Sequence, residues 1–270
     1  MNHTPKRAIL AVSFGTSFEE TRKKTIDRIE DDIHRAYPDD TLYRAWTSQM
    51  ILRKILKRYN LHIFNIREAM EQMIRDGITE LVVQPTHVIS GIENDSMKED
   101  VLSYTEHFDR IAFGAPLLTS EQDHQEAIRA MMDEWTFLPE NEVLVLMGHG
   151  TTHHANAVYA ALDHMFKDMG YNNVFLGTVE AYPSMDFLLE QVTAFGPRKV
   201  HLAPFMIVAG DHARNDMAGD DPDSWYSRFV QTGLPVECHL KGLGEYEGIR
   251  RIFLRHIAES RCSFLQTKAY

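Results

Sequence analysis

Two hydrophobic rhythms alternate along the chain. Short apolar-rich segments are separated by stretches in which apolar residues return every three or four positions. The segments fall at 7–14, 41–46, 80–85, 110–113, 143–147, 174–178, 199–204 and 236–240, and each reads as a strand. The stretches between them read as helices. Ile26, Ile29 and Ile33 form one stripe, Ile66, Ala69, Met70 and Met73 a second, and Val158, Ala161, Leu162 and Met165 a third. Ser17 and Glu20 have capping-box spacing, which predicts a single helix running to about Tyr37. Asn65 and Glu68 open the next helix, and Gly77 closes it. Residues 86–95 read as a polar loop. Further helices are predicted over 120–135, 184–195 and 246–260, with another to about Thr232 capped by Asp221 to Asp223. Strand and helix alternate throughout, which predicts an α/β protein with parallel sheets covered by helices on both faces.

The pattern also divides the chain. Residues 136–142 (T-F-L-P-E-N-E) look like a junction, giving an N-terminal lobe at 1–135 and a C-terminal lobe at 143–244. A last helix at 245–270 is expected to pack back on the first lobe. The two lobes resemble each other. Phe14-Gly15-Thr16 follows the first strand as His149-Gly150-Thr151 follows the fifth, and Pro85 and Gly91 keep the spacing of Pro204 and Gly210. The repeat makes Phe14 equivalent to His149 and Glu93 equivalent to His212. Two similar lobes are then expected to face a central cleft, each offering its strand ends. Two unrelated domains sharing generic turns remain the alternative.

Composition narrows the field. The chain has 270 residues, 44% of them hydrophobic, and a net charge of −11. It can bury a large core, and a nucleic-acid partner is disfavoured. No run approaches the roughly 18 apolar residues of a membrane span. The apolar start runs into F-E-E-T-R-K-K without a small-residue cleavage site, so it reads as a first strand rather than a signal peptide. Cys238 and Cys262 form no CxxC pair and read as reduced thiols in a reducing, cytoplasmic setting.

The candidate chemistry sits in the turns after strands. His149 lies between Gly148 and Gly150, where ligands bind in open α/β sheets. Glu180, His212 and Glu93 fall on comparable loops. Imidazole and carboxylate together suit a divalent transition metal, and neutral imidazole also accepts protons near pH 7. Each residue has a structural alternative: His149 as a turn cap, Glu180 as a helix cap, Glu93 and His212 as solvated loop residues. His153 and His154 are close enough in sequence to join His149, but they stand where a helix begins and read as capping or surface residues. His87 reads either as a cleft residue or as packing. G-H-G-T-T-H imitates a dinucleotide fingerprint, yet its third glycine is replaced by His153. There is no G-K pair for an ATP-binding loop and no G-x-S-x-G nucleophile elbow.

Four strings carry a resemblance: L-M-G-H-G-T around His149, G-T-V-E-A-Y-P-S around Glu180, H-V-I-S-G-I-E from His87 to Glu93, and A-G-D-H-A-R-N-D-M around His212. Together they resemble the anaerobic-type sirohydrochlorin cobaltochelatases, class II tetrapyrrole chelatases related to protoporphyrin ferrochelatase. The family's usual G-E-E loop is Gly91-Ile92-Glu93 here, so only Glu93 carries over. The resemblance implies two flavodoxin-like (Rossmann-like) lobes and insertion of Co²⁺, as substrate metal, into sirohydrochlorin or precorrin-2 in anaerobic cobalamin biosynthesis. No ATP or other nucleotide is implied. His149, Glu180 and His212 would hold the metal, with His149, His212 and Glu93 catalytic. Ser13, Gly15, Thr16, His87 and Arg214 would contact the tetrapyrrole. A cytoplasmic homo-oligomer with no nucleic-acid or membrane partner is expected. The alternatives are an iron or nickel chelatase, or a carrier that binds tetrapyrrole or metal without insertion.

Overall fold

The computed structural model describes residues 5–262 and 265–266. Its contacts divide the chain into two units. One runs to Thr119 and resumes at Arg250, and the other is Ser120–Ile249.

The first unit holds β1 (Arg7–Ser13), β2 (Thr41–Trp46), β3 (Glu80–Pro85) and β4 (Arg110–Phe113). They pair in parallel in the order β2-β1-β3-β4, and β9 (Leu265–Gln266) adds an antiparallel edge against β4. The second unit holds β5 (Glu142–Gly148), β6 (Val174–Thr178), β7 (Lys199–Pro204) and β8 (Val236–Cys238), in the order β6-β5-β7-β8. All pairs in that sheet are parallel. The central strands β1 and β5 are buried almost end to end, because helices cover both faces. The expected α/β architecture with two lobes of parallel sheet is therefore present.

The helices are α1 (Glu19–Lys24), α2 (Ile26–Ala36), α3 (Gln49–Tyr59), α4 (Ile66–Arg75), α5 (Ile92–Leu102), α6 (Glu121–Met132), α7 (Ala157–Asp168), α8 (Met185–Phe195), α9 (Trp225–Val230) and α10 (Glu247–Cys262). The capping box at Asn65 and Glu68 is present in full. The one expected at Ser17 and Glu20 is absent, because α1 starts after Phe18. The single predicted helix is two, broken at Thr25, whose hydroxyl donates to the Thr21 carbonyl at 2.7 Å. Such back-bonding bends a helix. Ser224, not Asp221 to Asp223, caps α9.

α5 occupies part of the expected polar loop. Its buried positions are Asn94, Met97 and Val101, so a polar residue stands on the inward face and disguises the periodicity. In α7 the buried positions are Tyr159, Leu162 and Phe166, while Ala161 is exposed. The stripe is turned by about one residue from the predicted one. The unit boundary falls before α6 rather than at 136–142. α6 packs on α7, and Gly248 lies so close to Ala130 that a Cβ there would come within 2.5 Å of it. From Arg250 onward α10 joins the first unit, with Arg250 paired to Asp32 at 2.6 Å and His256 Nδ1 at 2.9 Å from the Ala115 carbonyl.

A candidate metal centre

In the second unit three loops leave the carboxyl ends of β5, β6 and β7. The first requires both glycines around His149. A Cβ on Gly148 would meet the Tyr159 ring at 2.6 Å, and Gly150 has φ +84°, a left-handed conformation that glycine adopts without steric cost. Tyr159 is buried, and the His149 and Gly150 backbones hydrogen-bond to its hydroxyl. Burial, outweighing those bonds, pushes its phenol up to about 12. The tyrosine fixes the turn from beneath as a neutral group.

Asn156 ties this loop to the next one. Its carbonyl oxygen accepts the Thr151 N–H at 3.0 Å, and its amide donates to the Tyr182 carbonyl at 2.6 Å. The Glu180 N–H donates to the His149 carbonyl at 3.0 Å. The third loop delivers His212 at the head of a π-helical turn, Ala213–Met217, a local geometry often found at functional sites.

These loops bring His149, Glu180 and His212 together. One ligand atom from each lies within 4.8 Å of the others. His149 Nδ1 is 3.8 Å from a Glu180 oxygen, and the two imidazoles cross at 85° with centroids 4.6 Å apart. Second partners fix each ring. His149 Nδ1 is 2.9 Å from the Gly150 carbonyl, which only accepts, so that bond places the proton on Nδ1 and the lone pair on Nε2. His212 Nδ1 meets the Asp216 carboxylate at 2.5 Å, with the same consequence. Carboxylate and carbonyl partners of this kind orient metal-binding histidines. All three candidate ligands keep between a third and just over half of their side-chain surface. An ion there remains open to exchange.

The other predicted site residues are placed differently. Glu93 is exposed in the first turn of α5, on the rim of a cavity of about 150 Å³ lined also by Trp46, Asn65 and Arg67. Ser13 is buried and shares a 2.8 Å hydrogen bond with the Thr86 hydroxyl. Thr16 is buried too, its hydroxyl accepting the Phe18 N–H at 3.3 Å. Gly15 is a positive-φ turn residue. His87 is buried, and burial pushes its imidazole down to about 4, so it is neutral at pH 7. Arg214 is half-buried in the π-helical turn. His153 caps the short 3₁₀ turn at His154–Asn156 by accepting the Ala155 N–H at 3.2 Å. Tyr159, Asn156 and Asp216 were not singled out from the sequence. Only Asp216, four residues after His212 on one helical face, carried a readable signal.

Known proteins resemble the chain over nearly its whole length. A family model described as cobalt chelatase (CbiK) matches residues 7–261. A sirohydrochlorin cobaltochelatase of Salmonella typhimurium is 40% identical over 255 residues, covering 94% of this chain and 96% of that protein. A second, from Nitratidesulfovibrio vulgaris, is 31% identical over 263 residues and covers 94% and 91%. Among solved structures, SirB from Bacillus subtilis with Fe³⁺ superposes with a TM-score of 0.66 at 14% identity, covering 94% of this chain and 95% of that one. That likeness concerns the fold.

Proposed function

We propose that the chain, which belongs to the cobalt chelatase (CbiK) family, inserts Co²⁺ into sirohydrochlorin without ATP, from the centre formed by His149, Glu180 and His212. The observation that carries this reading is the convergence of three ligand atoms within 4.8 Å on half-exposed loops. Two neutral imidazoles and one carboxylate hold a divalent ion while leaving coordination positions open to the incoming ring nitrogens. Inserting Co²⁺ releases two pyrrole protons. Transferring the ion frees two imidazole lone pairs, on His149 and His212, so the groups that give up the metal accept the protons. Asp216 then stabilises the His212 imidazolium through a charge-assisted hydrogen bond. Affinity alone would rank Ni²⁺ and Cu²⁺ above Co²⁺, so geometry, kinetics or supply must favour cobalt.

Glu93 is proposed as a further proton acceptor. Its support is its exposure beside an open cavity in the first lobe. Arg214, next but one to His212, is the proposed partner of a substrate carboxylate, with the Gly15 turn contributing backbone. Ser13, Thr16 and His87 are buried, so their part is to shape the loops beneath the substrate. No helix of the described residues is long and apolar enough to cross a membrane. Both thiols are free, which supports a cytoplasmic location. A homo-oligomer is the state we expect light scattering to report.

The test is metal insertion by purified protein, followed by the visible spectrum of the macrocycle. His149→Ala and His212→Ala should each slow it severely. Insertion by both variants at the wild-type rate would overturn the assignment, and tetrapyrrole binding without insertion would make the protein a carrier.

A further inference from the structure

A second set of metal-ligand side chains lies in the same lobe, away from the strand ends. His201 on β7 is in parallel register with Glu237 on β8, and His239 follows directly after β8. His201 precedes the end of β7 by three residues, roughly 10 Å along a strand. This cluster cannot share an ion with His149. Its donors are close: His201 Nδ1 is 3.0 Å from His239 Nε2, and Glu237 oxygens are 3.8 Å and 3.7 Å from those nitrogens. Two nitrogens bound at about 2.0–2.1 Å to one ion stand roughly 3.0–3.4 Å apart. The imidazoles already have that spacing, and the carboxylate, half-exposed at the sheet edge, needs a shift of a few tenths of an ångström.

The orientation of His201 argues most strongly for a ligand. Its Nε2 meets the buried Glu142 carboxylate at 2.8 Å, and Arg198 holds the other Glu142 oxygen at 2.5 Å. A carboxylate only accepts, so the proton is on Nε2 and the Nδ1 lone pair points at His239. This carboxylate–histidine pairing is the arrangement that presents a histidine to a metal. Without an ion, His239 donates its Nε2 proton to His201. With one, that proton moves to the other ring nitrogen of His239 and the freed lone pair binds. Lys199, 2.5 Å from one Glu237 oxygen, competes for the carboxylate, yet the second oxygen is the one nearest His239.

We propose that His201, His239 and Glu237 form a second divalent transition-metal site of the Zn²⁺ or Co²⁺ class, clipping edge strand β8 to β7. Trp135 reports on it, because its ring lies 5.8 Å from His201 and 4.8 Å from His239. Titrate the full chain with Co²⁺, measuring bound metal by equilibrium dialysis and following tryptophan fluorescence. The wild type should hold two ions per chain. The His149→Ala/His212→Ala double variant should hold one and keep the quenching. His239→Ala and, as a variant outside the core, Glu237→Gln should lose one ion and the quenching while inserting cobalt at the wild-type rate. Trp135→Phe should keep both ions and lose the quenching. The site is refuted if the double variant binds no metal, or if His239→Ala and Glu237→Gln both still hold two ions. Failure of the strand-end centre reads differently: His239→Ala would then hold none while the double variant still held one.

Discussion

The two lobes use one scaffold and carry different side chains on it. Val12 pairs with Pro85 in the first sheet as Met147 pairs with Pro204 in the second. Beyond the strand ends the same hydrogen bonds recur. Ser48 N–H donates to the Phe14 carbonyl as Glu180 N–H donates to that of His149. Asp95 N–H reaches the Gly91 carbonyl at 3.1 Å, and Arg214 N–H reaches that of Gly210 at 3.1 Å. The three candidate ligand positions of the second lobe, His149, Glu180 and His212, therefore correspond to Phe14, Ser48 and Glu93 in the first. Phe14 has no donor atom, and the Ser48 hydroxyl is occupied capping α3. Beneath the turn, Trp46 fills the first lobe where Thr178 stands in the second, each ring or side chain within 3 Å of where a Cβ on Gly15 or Gly150 would lie. Among the described residues, three-ligand clusters occur only in the second lobe. Backbone geometry alone thus does not gather metal-ligand side chains here; three side chains on shared turns do.

The contrast can be broken by exchanging those side chains. His149→Phe gives the second lobe the residue of the first and removes a proposed ligand and proton acceptor. Cobalt insertion should fall on the order of 10²–10⁴-fold, with the fold unchanged by circular dichroism. His87→Met tests the reverse, since Met206 occupies the equivalent place in the second lobe. Folded His87 stays neutral down to about pH 4, whereas the unfolded imidazole takes a proton below its ordinary 6.5. The unfolded state binds more protons across that window, so His87 lowers stability as pH falls from 6.5 to 4, on the order of 3 kcal/mol at the acid end. Denaturation at a series of pH values should show His87→Met losing much of this acid limb and matching the wild type above pH 7. Asp216→Asn weakens the orientation of His212, and Co²⁺ affinity measured by calorimetry should drop about 10–100-fold. Asn156→Ala removes the tie between the His149 and Glu180 loops and should cost about 1 kcal/mol in stability, with a larger effect on KM than on kcat.

Much of this was legible in the sequence. Strands β2, β3, β4, β6 and β7 have the predicted limits; β3, β6 and β7, buried along almost their whole length, read as chiefly apolar segments. The repeat was readable from glycines and prolines at turns, where backbone geometry restricts residue choice. α5 was not, because Asn94 occupies its buried face. The break at Thr25 depends on one side chain bonding to its own helix. The His149, Glu180 and His212 loops were recognisable from local motifs. Their supports were not, since Tyr159 and Asn156 act through tertiary contacts. The pairing of His201 with Glu142 and His239 spans 59 and 38 residues of chain, with no spacing rule to announce it.

Cobalt is proposed to be held by the second lobe's strand-end loops. Anomalous diffraction at the cobalt edge, on crystals of the full chain soaked with Co²⁺, reads this directly. A cobalt peak about 2.0–2.2 Å from His149, His212 and Glu180 is the predicted result. Cobalt bound instead by the first lobe's loops, with His149 and His212 unliganded, would contradict it.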